Sequence, residues 1–221
     1  MCMPNPLNKL AIIMLSSLLL NACASAANDP SNNPSNSTPN NSTPTMLAST
    51  ERLSVQVPDR WVVALENKLG QLAITEWVPA GTTSTWTEKL TLEALGGTPL
   101  PDPLDFVQGL AEEQSAACIN FADSNIYAGF ENGYQTTVHL FECGASRVTN
   151  APLVTMVKAI RGNDAFYTIT RIWRLQSVPG KTSARTPIDP AQIAAWSASL
   201  KDMTLCDAAL AAHACASAPE G

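Results

Sequence analysis

Alternating apolar and polar positions predict a run of strands that begins near residue 53. The first candidates span residues 53–57, 61–65, 71–78 and 85–94. In the last of these, one row consists of Trp86, Glu88, Leu90, Leu92 and Ala94, and the other consists of threonines with Lys89 and Glu93. One apolar row beside one polar row is typical of an antiparallel sheet, so we expect the polar face to be wet or thinly covered.

Two helix starts are marked by an aspartate followed by a proline. Asp102-Pro103 places an N-cap and a first-turn proline before a helix expected to end near Ala117, and Asp189-Pro190 repeats the signal. Three more strands are predicted over 134–143, 153–160 and 166–175. The order is strands, helix, strands, helix, which predicts an α+β domain with an antiparallel sheet of about six strands and two main helices packed on it.

The N-terminus resembles a bacterial lipoprotein signal. Lys9 precedes eleven apolar or small residues (10–20), and Leu20-Asn21-Ala22-Cys23 follows. Eleven helical residues reach about 16 Å, against about 30 Å for a bilayer core, so this segment is too short to span. The resemblance implies cleavage before Cys23 and acylation of its thiol, and Ala24 favours the outer membrane. The alternative is a secreted protein cut at an Ala-x-Ala site.

Composition then divides the chain. Residues 24–45 contain 18 Asn, Ser, Pro and Thr among 22 positions, which predicts a tether without a packed core. The predicted organisation is a signal peptide (1–22), a lipidated cysteine and linker (23–49), one α+β domain (50–207) and an Ala-rich tail (208–221).

Four cysteines remain once Cys2 and Cys23 are set aside. An even number in an exported domain predicts two disulfides, and of the three possible connectivities we favour Cys118–Cys143 with Cys206–Cys215. A competing interpretation takes Cys206, His213 and Cys215 as metal ligands, but no fourth ligand stands at a motif-like spacing. We therefore expect no metal and no cofactor.

Charge excludes one class of partner and suggests another. The net charge is −6, and a nucleic-acid-binding chain needs a surplus of cations, so nucleic acid is not an expected partner. Residues 147–185 nevertheless hold seven cations and one acid, whereas residues 51–130 hold four cations and eleven acids. This basic hairpin, with Arg161, Arg171 and Arg174, is a candidate surface for an envelope protein or an anionic envelope component; alternatively, its charges neutralise the acidic half of the sheet.

Glu88 and Arg171 each stand in an apolar row. A lone buried ion costs several kcal/mol, so we expect the two to meet or to lie at a wet rim. They are a candidate ligand anchor or a structural ion pair.

No sequence pattern supplies an activated nucleophile. His139 alternates with Phe141 in a predicted strand and is interpreted as a structural residue. The enzyme alternative is an envelope hydrolase that uses Glu88 or Glu76 as general base; a further alternative is a carrier of a small apolar ligand.

Several sparse positions are an opening Val-x-Val-Pro-x-x-Trp, Gly133-Tyr134 before three strands, Tyr167, and a last helix with Trp196 and Leu200. Together they resemble the PsbP-like family, which includes the periplasmic lipoprotein DcrB. The blocks Glu76-Trp77-Val78-Pro79 and Trp86-Thr87-Glu88 are also similar to those of uncharacterised bacterial exported proteins. The resemblance implies an antiparallel sheet with helices on its faces, used for binding or assembly; it transfers no catalytic residue. The expected function is a lipid-anchored periplasmic binding or assembly module.

Overall fold

The fold is taken from a computed structural model that describes residues 50–83, 86–175 and 189–215. Nine strands and two α-helices follow one another in the described ranges. In chain order they are β1 (Glu51–Leu53), β2 (Trp61–Leu69), β3 (Leu72–Pro79), β4 (Glu88–Gly96), α1 (Pro103–Ala117), β5 (Cys118–Glu131), β6 (Tyr134–Ser146), β7 (Leu153–Arg161), β8 (Ala165–Arg174), α2 (Pro190–Asp202) and β9 (Leu205–Asp207). A short 3-10 turn covers Ala211–His213.

Seven strands form one antiparallel sheet in the order β2-β3-β4-β8-β7-β6-β5. The first strand, β1, pairs instead with the last, β9, with Glu51 opposite Asp207. The predicted α+β class with two helices is confirmed. The sheet has one strand more than the predicted six or so, because β5 was not foreseen; β9, also not foreseen, lies outside this sheet.

The first strand, predicted over 53–57, is shorter in the structure and begins two residues earlier. β1 ends at Leu53, and Val55 and Val57 beyond it pack, partly buried, against the core without strand geometry. Pro58 follows at once, and proline lacks the N–H that would extend a ladder.

One face of the sheet carries the main apolar core. Helix α2 covers it with Trp196 and Leu200, and Met203 follows directly. Beneath them lie apolar side chains of β4, β6, β7 and β8: Leu90, Leu92, Val138, Leu140, Val154, Met156, Ile160 and Ile169. We call this the apolar face.

The opposite face is also buried, so the expectation that it is wet or thinly covered fails in its first alternative. Helix α1 packs against β5, β6 and β7, and its Phe106 ring lies edge-on to Phe166, 4.9 Å between centroids. On β4 the polar row is closed off as well, since Lys89 and Glu93 expose only 2% and 4% of their surface. Alternation along β4 therefore separates two covered faces, and we call the second one the polar face.

Both helices begin where the sequence places them. The Asp102 carboxylate accepts hydrogen bonds from the backbone N–H groups of Leu104 and Asp105 at 2.8 and 3.2 Å. Asp189 accepts one, from Ala191, at 2.9 Å. These bonds satisfy donors that the first helical turn leaves free.

Two disulfides are present, Cys118–Cys143 and Cys206–Cys215, in the connectivity favoured above. The second rules out the metal interpretation of Cys206, His213 and Cys215, because both sulfurs are used in one covalent bond. His213 instead places Nδ1 2.8 Å from the backbone oxygen of Asn132. Asn132 and Gly133 both have positive φ in the β5–β6 turn, and a Cβ on Gly133 would collide with the His213 ring.

None of the helices in the described ranges has the length and apolar character needed to cross a membrane.

Candidate functional site

The best-defined candidate site lies at the open end of the β7–β8 hairpin, where β8 runs beside β4. Glu88 and Arg171 lie on the apolar face, and Arg171 Nη2 donates to Glu88 Oε2 at 3.1 Å. Their side chains expose 23% and 15% of their surface, so this is a rim position. The predicted meeting of the two charges is present.

Two indole rings enclose the Arg171 guanidinium. Its carbon lies 4.8 Å from the Trp196 ring of α2 and 5.5 Å from the Trp61 ring of β2. Trp173 continues the aromatic wall, 5.3 Å from Trp196. The charge is tolerated here because Glu88 pairs with it and cation–π contact with the indoles replaces part of its hydration.

Arg174 lies at the same end of β8 but on the polar face, because residues three apart in a strand point to opposite sides. Its guanidinium carbon is 4.1 Å from the Trp86 ring, and burial lowers the pKa of Arg174. The Nε atoms of Arg171 and Arg174 are both buried and have no hydrogen-bond partner within the described ranges. We call Glu88, Arg171 and Arg174, with the indoles around them, the arginine site.

The structure does not bring Arg161 to the arginine site. Arg161 is exposed at the other end of β7, opposite Phe166, which is roughly 25 Å along the strand from Arg174. Arg161 instead influences Asp102. Burial tends to raise the pKa of the Asp102 carboxyl, but hydrogen bonds from Gln135 and the helix backbone, together with the Arg161 charge, lower it below its usual value.

A fourth hairpin cation, Lys158, lies on the apolar face. Lys158 is fully buried beneath α2, where its ammonium donates to the Leu200 carbonyl at 2.8 Å and pairs with Glu131. Lys181 and Arg185 lie outside the described residues. Within those residues, the cations of the basic hairpin are therefore spread over both faces and both ends of the sheet.

Buried polar side chains make up the β3, β4 and β8 part of the polar face, which was expected to be wet or thinly covered. Lys89 Nζ lies 2.7 Å from Glu76 Oε1, and Thr168 donates to Glu93 at 2.9 Å. Burial raises the pKa of Glu93 to about 7.

The two carboxylates considered as general bases are thus each engaged with a cation, Glu88 with Arg171 and Glu76 with Lys89. His139, also buried, places Nδ1 2.8 Å from Asp123 Oδ1, and its Nε2 has no partner in the described ranges. These contacts favour structural ion pairs. The hydrolase and the apolar-ligand carrier remain predictions.

No protein-family model and no curated protein sequence matches this chain. Solved structures do resemble it. The Ran-binding protein Mog1p of Saccharomyces cerevisiae is 14% identical with a TM-score of 0.37, over 69% of this chain and 79% of that one. A point mutant of Mog1 is also 14% identical with a TM-score of 0.37, and the match covers 57% of this chain and 79% of the Mog1 chain.

A third similar structure is LpqN of Mycobacterium tuberculosis, described as involved in cell envelope biogenesis. It is 10% identical with a TM-score of 0.36, over 70% of this chain and 82% of that one. Likenesses at this level concern the arrangement of elements alone and carry no information on partners.

Proposed function

We propose that this chain is a lipid-anchored binding or assembly module of the bacterial cell envelope, held at the periplasmic side of the outer membrane by acylated Cys23. The lipoprotein-like N-terminus and the Asn-, Ser-, Pro- and Thr-rich linker support the anchor. The two disulfides support an oxidising compartment, where such bonds persist.

The observation that carries the binding role is the arginine site. Arg171 and Arg174 each hold a buried Nε–H without an acceptor in the described ranges, next to indole rings at one end of the sheet. An unpaired buried donor costs free energy, and a carboxylate or phosphate of a partner would supply the acceptor. An anionic envelope component or an acidic envelope protein fits this chemistry.

The anchor is tested by metabolic labelling with palmitate. We expect the label on the wild-type chain and its loss in Cys23→Ser, because the thiol is the acyl acceptor. Cys2→Ser is the matched control, since Cys2 would leave with the signal peptide and its loss should change nothing. An unlabelled wild type, or a labelled Cys23→Ser variant, would contradict the anchor.

The arginine site is tested by a substitution that keeps the positive charge but replaces the planar guanidinium group with an ammonium group. The double variant Arg171→Lys with Arg174→Lys retains a cation opposite Glu88, so the fold should persist while the Nε–H donors disappear. We expect affinity for purified lipopolysaccharide or phosphatidylglycerol vesicles, measured by flotation, to fall roughly tenfold, the equivalent of about 1.4 kcal/mol.

Arg161→Lys is the control and should bind within about twofold of wild type, because Arg161 lies at the far end of the hairpin. If wild type and both variants bind equally at several salt concentrations, the arginine site is not the binding surface.

A further inference from the structure

Strand β5 is an edge strand whose outer side pairs with no other strand among the described residues. It is 14 residues long, pairs only with β6 in the described ranges, and ends the seven-stranded sheet. Ten of its residues are exposed. A free edge presents a row of backbone N–H and C=O groups on which another extended segment can form a ladder.

The usual protection of such an edge is weak on β5. Natural edge strands carry lysine or proline that discourages pairing, and β5 has neither. Several large apolar side chains are exposed along it instead: Ile119, Ile126, Tyr127 and Phe130 expose 41%, 45%, 37% and 71% of their surface. One bulge, between Asn125 and Tyr127, interrupts the register with β6.

The charge around this edge is mostly negative, although Glu131 of β5 pairs with Lys158 and exposed Arg147 follows β6. From residue 90 to residue 146 the sequence contains eight acids and no lysine or arginine. This stretch comprises α1, β5 and β6, and α1, which packs beside β5, exposes Asp105 and Glu112. The opposite edge strand, β2, differs because it places Lys68 near Glu66.

We propose that the β5 edge is a docking site for an extended basic segment of another protein, which adds a strand to the sheet and places apolar side chains against Ile126 and Phe130. Acidic surroundings select lysine- or arginine-bearing segments by charge complementarity. They disfavour a second copy of this chain, which would bring the same exposed acids, among them Asp105 and Glu112, and an anionic lipid surface for the same reason. The site is separate from the arginine site and does not depend on it.

The test uses the whole chain in a neutral detergent with a fluorescein-labelled peptide of alternating lysine and valine. We expect saturable binding by anisotropy, with slowed hydrogen exchange at backbone amides of β5. A peptide of alternating glutamate and valine should bind at least about tenfold more weakly. A peptide of alternating lysine and proline, with equal charge, should also bind at least about tenfold more weakly, because proline lacks the N–H needed for a strand ladder.

Two single substitutions provide matched controls. Ser124→Lys and Asn67→Lys each add one positive charge at an exposed edge position, the first on β5 and the second on β2. We expect Ser124→Lys to weaken the lysine–valine peptide roughly tenfold and Asn67→Lys to leave binding within about twofold.

Absence of binding, equal binding of the three peptides, or equal effects of the two substitutions would overturn the proposal. So would sedimentation that shows a dimer lost in Ser124→Lys, because the occupant would then be a second copy. If the peptide slowed hydrogen exchange only at backbone amides of β2, the peptide would bind the opposite edge of the sheet, which would also overturn the proposal.

Discussion

Glu93 shows at the residue scale what burial does to a carboxyl group. It exposes 4% of its surface, accepts a hydrogen bond from Thr168, and lies near Glu76 and Lys89. Burial raises its pKa from 4.5 to about 7 in the folded protein. Because the folded pKa is higher than the unfolded one, the contribution of Glu93 to stability is full below about pH 4.5 and is lost as pH rises through 7.

Glu93→Gln should remove this loss while keeping an acceptor for Thr168. We expect the free energy of unfolding of the variant, relative to wild type, to rise by about 2 kcal/mol between pH 5 and pH 8. Urea unfolding at the two pH values measures it. Glu66→Gln, at an exposed site on β2, is the control and should show no such change; an equal difference between Glu93→Gln and wild type at both pH values would contradict the assignment.

The capping aspartates differ at the scale of the element. Asp102 accepts two backbone N–H bonds and a third bond from the Gln135 amide at 2.6 Å, whereas the Asp189 cap bond is single. Asp102 therefore holds the start of α1 and also ties it to β6.

Asp102→Ala should lower the free energy of unfolding by about 2 kcal/mol, and Asp189→Ala by about 1 kcal/mol or less. The reason is the number of donors left without an acceptor. Urea midpoints followed by circular dichroism compare the two, and each variant serves as the control for the other. A larger cost for Asp189→Ala would contradict the interpretation.

The sequence predicts helix starts better than edge strands, because a helix start has a local capping motif whereas an exposed edge strand has no comparable motif. Asp-Pro starts depend on local backbone chemistry, which tertiary packing does not alter. The β5 strand was missed because most of its positions are exposed, so its sequence shows no alternating row of apolar residues. The bulge between Asn125 and Tyr127 also interrupts the two-residue alternation. The burial of Lys89 and Glu93 was missed because only tertiary structure tells which helix covers which face.

The candidate site was partly predictable for the same reasons. Glu88 and Arg171 interrupt apolar rows, so their pairing followed from the cost of a lone charge. The indoles around Arg171 come from β2 and α2, elements more than a hundred residues apart, and no local pattern connects Trp61 with Trp196. Arg161 was grouped with Arg171 and Arg174 by sequence proximity alone, and the length of the hairpin separates them.

At the scale of the whole molecule, each disulfide secures a different region. Cys118–Cys143 joins the start of β5 to β6, where α1 ends. Cys206–Cys215 fixes β9 to the segment that follows it, which holds His213 over Tyr134 with ring centroids 4.3 Å apart.

Cys206→Ala with Cys215→Ala should therefore speed hydrogen exchange in β1, β9 and residues 210–215 and leave β3, β4 and β8 unchanged, because opening is local to the segment that loses its crosslink. Cys118→Ala with Cys143→Ala is the comparison and should instead speed exchange in β5 and the end of α1. Uniform loss of protection in both variants would show that the disulfides act on the whole domain alike.

The pairing of β1 with β9 has a consequence for how the chain is made. Glu51 leaves the ribosome long before Asp207, its partner across the ladder, so the first strand to emerge waits for the last. The consecutive strands β2–β4 and β5–β8 can form their hairpins in the meantime, and the β4–β8 pairing then joins the two groups. The β1–β9 ladder can therefore form only after residues 51–207 have all been synthesised, and a chain stopped before β9 would carry an unpaired β1.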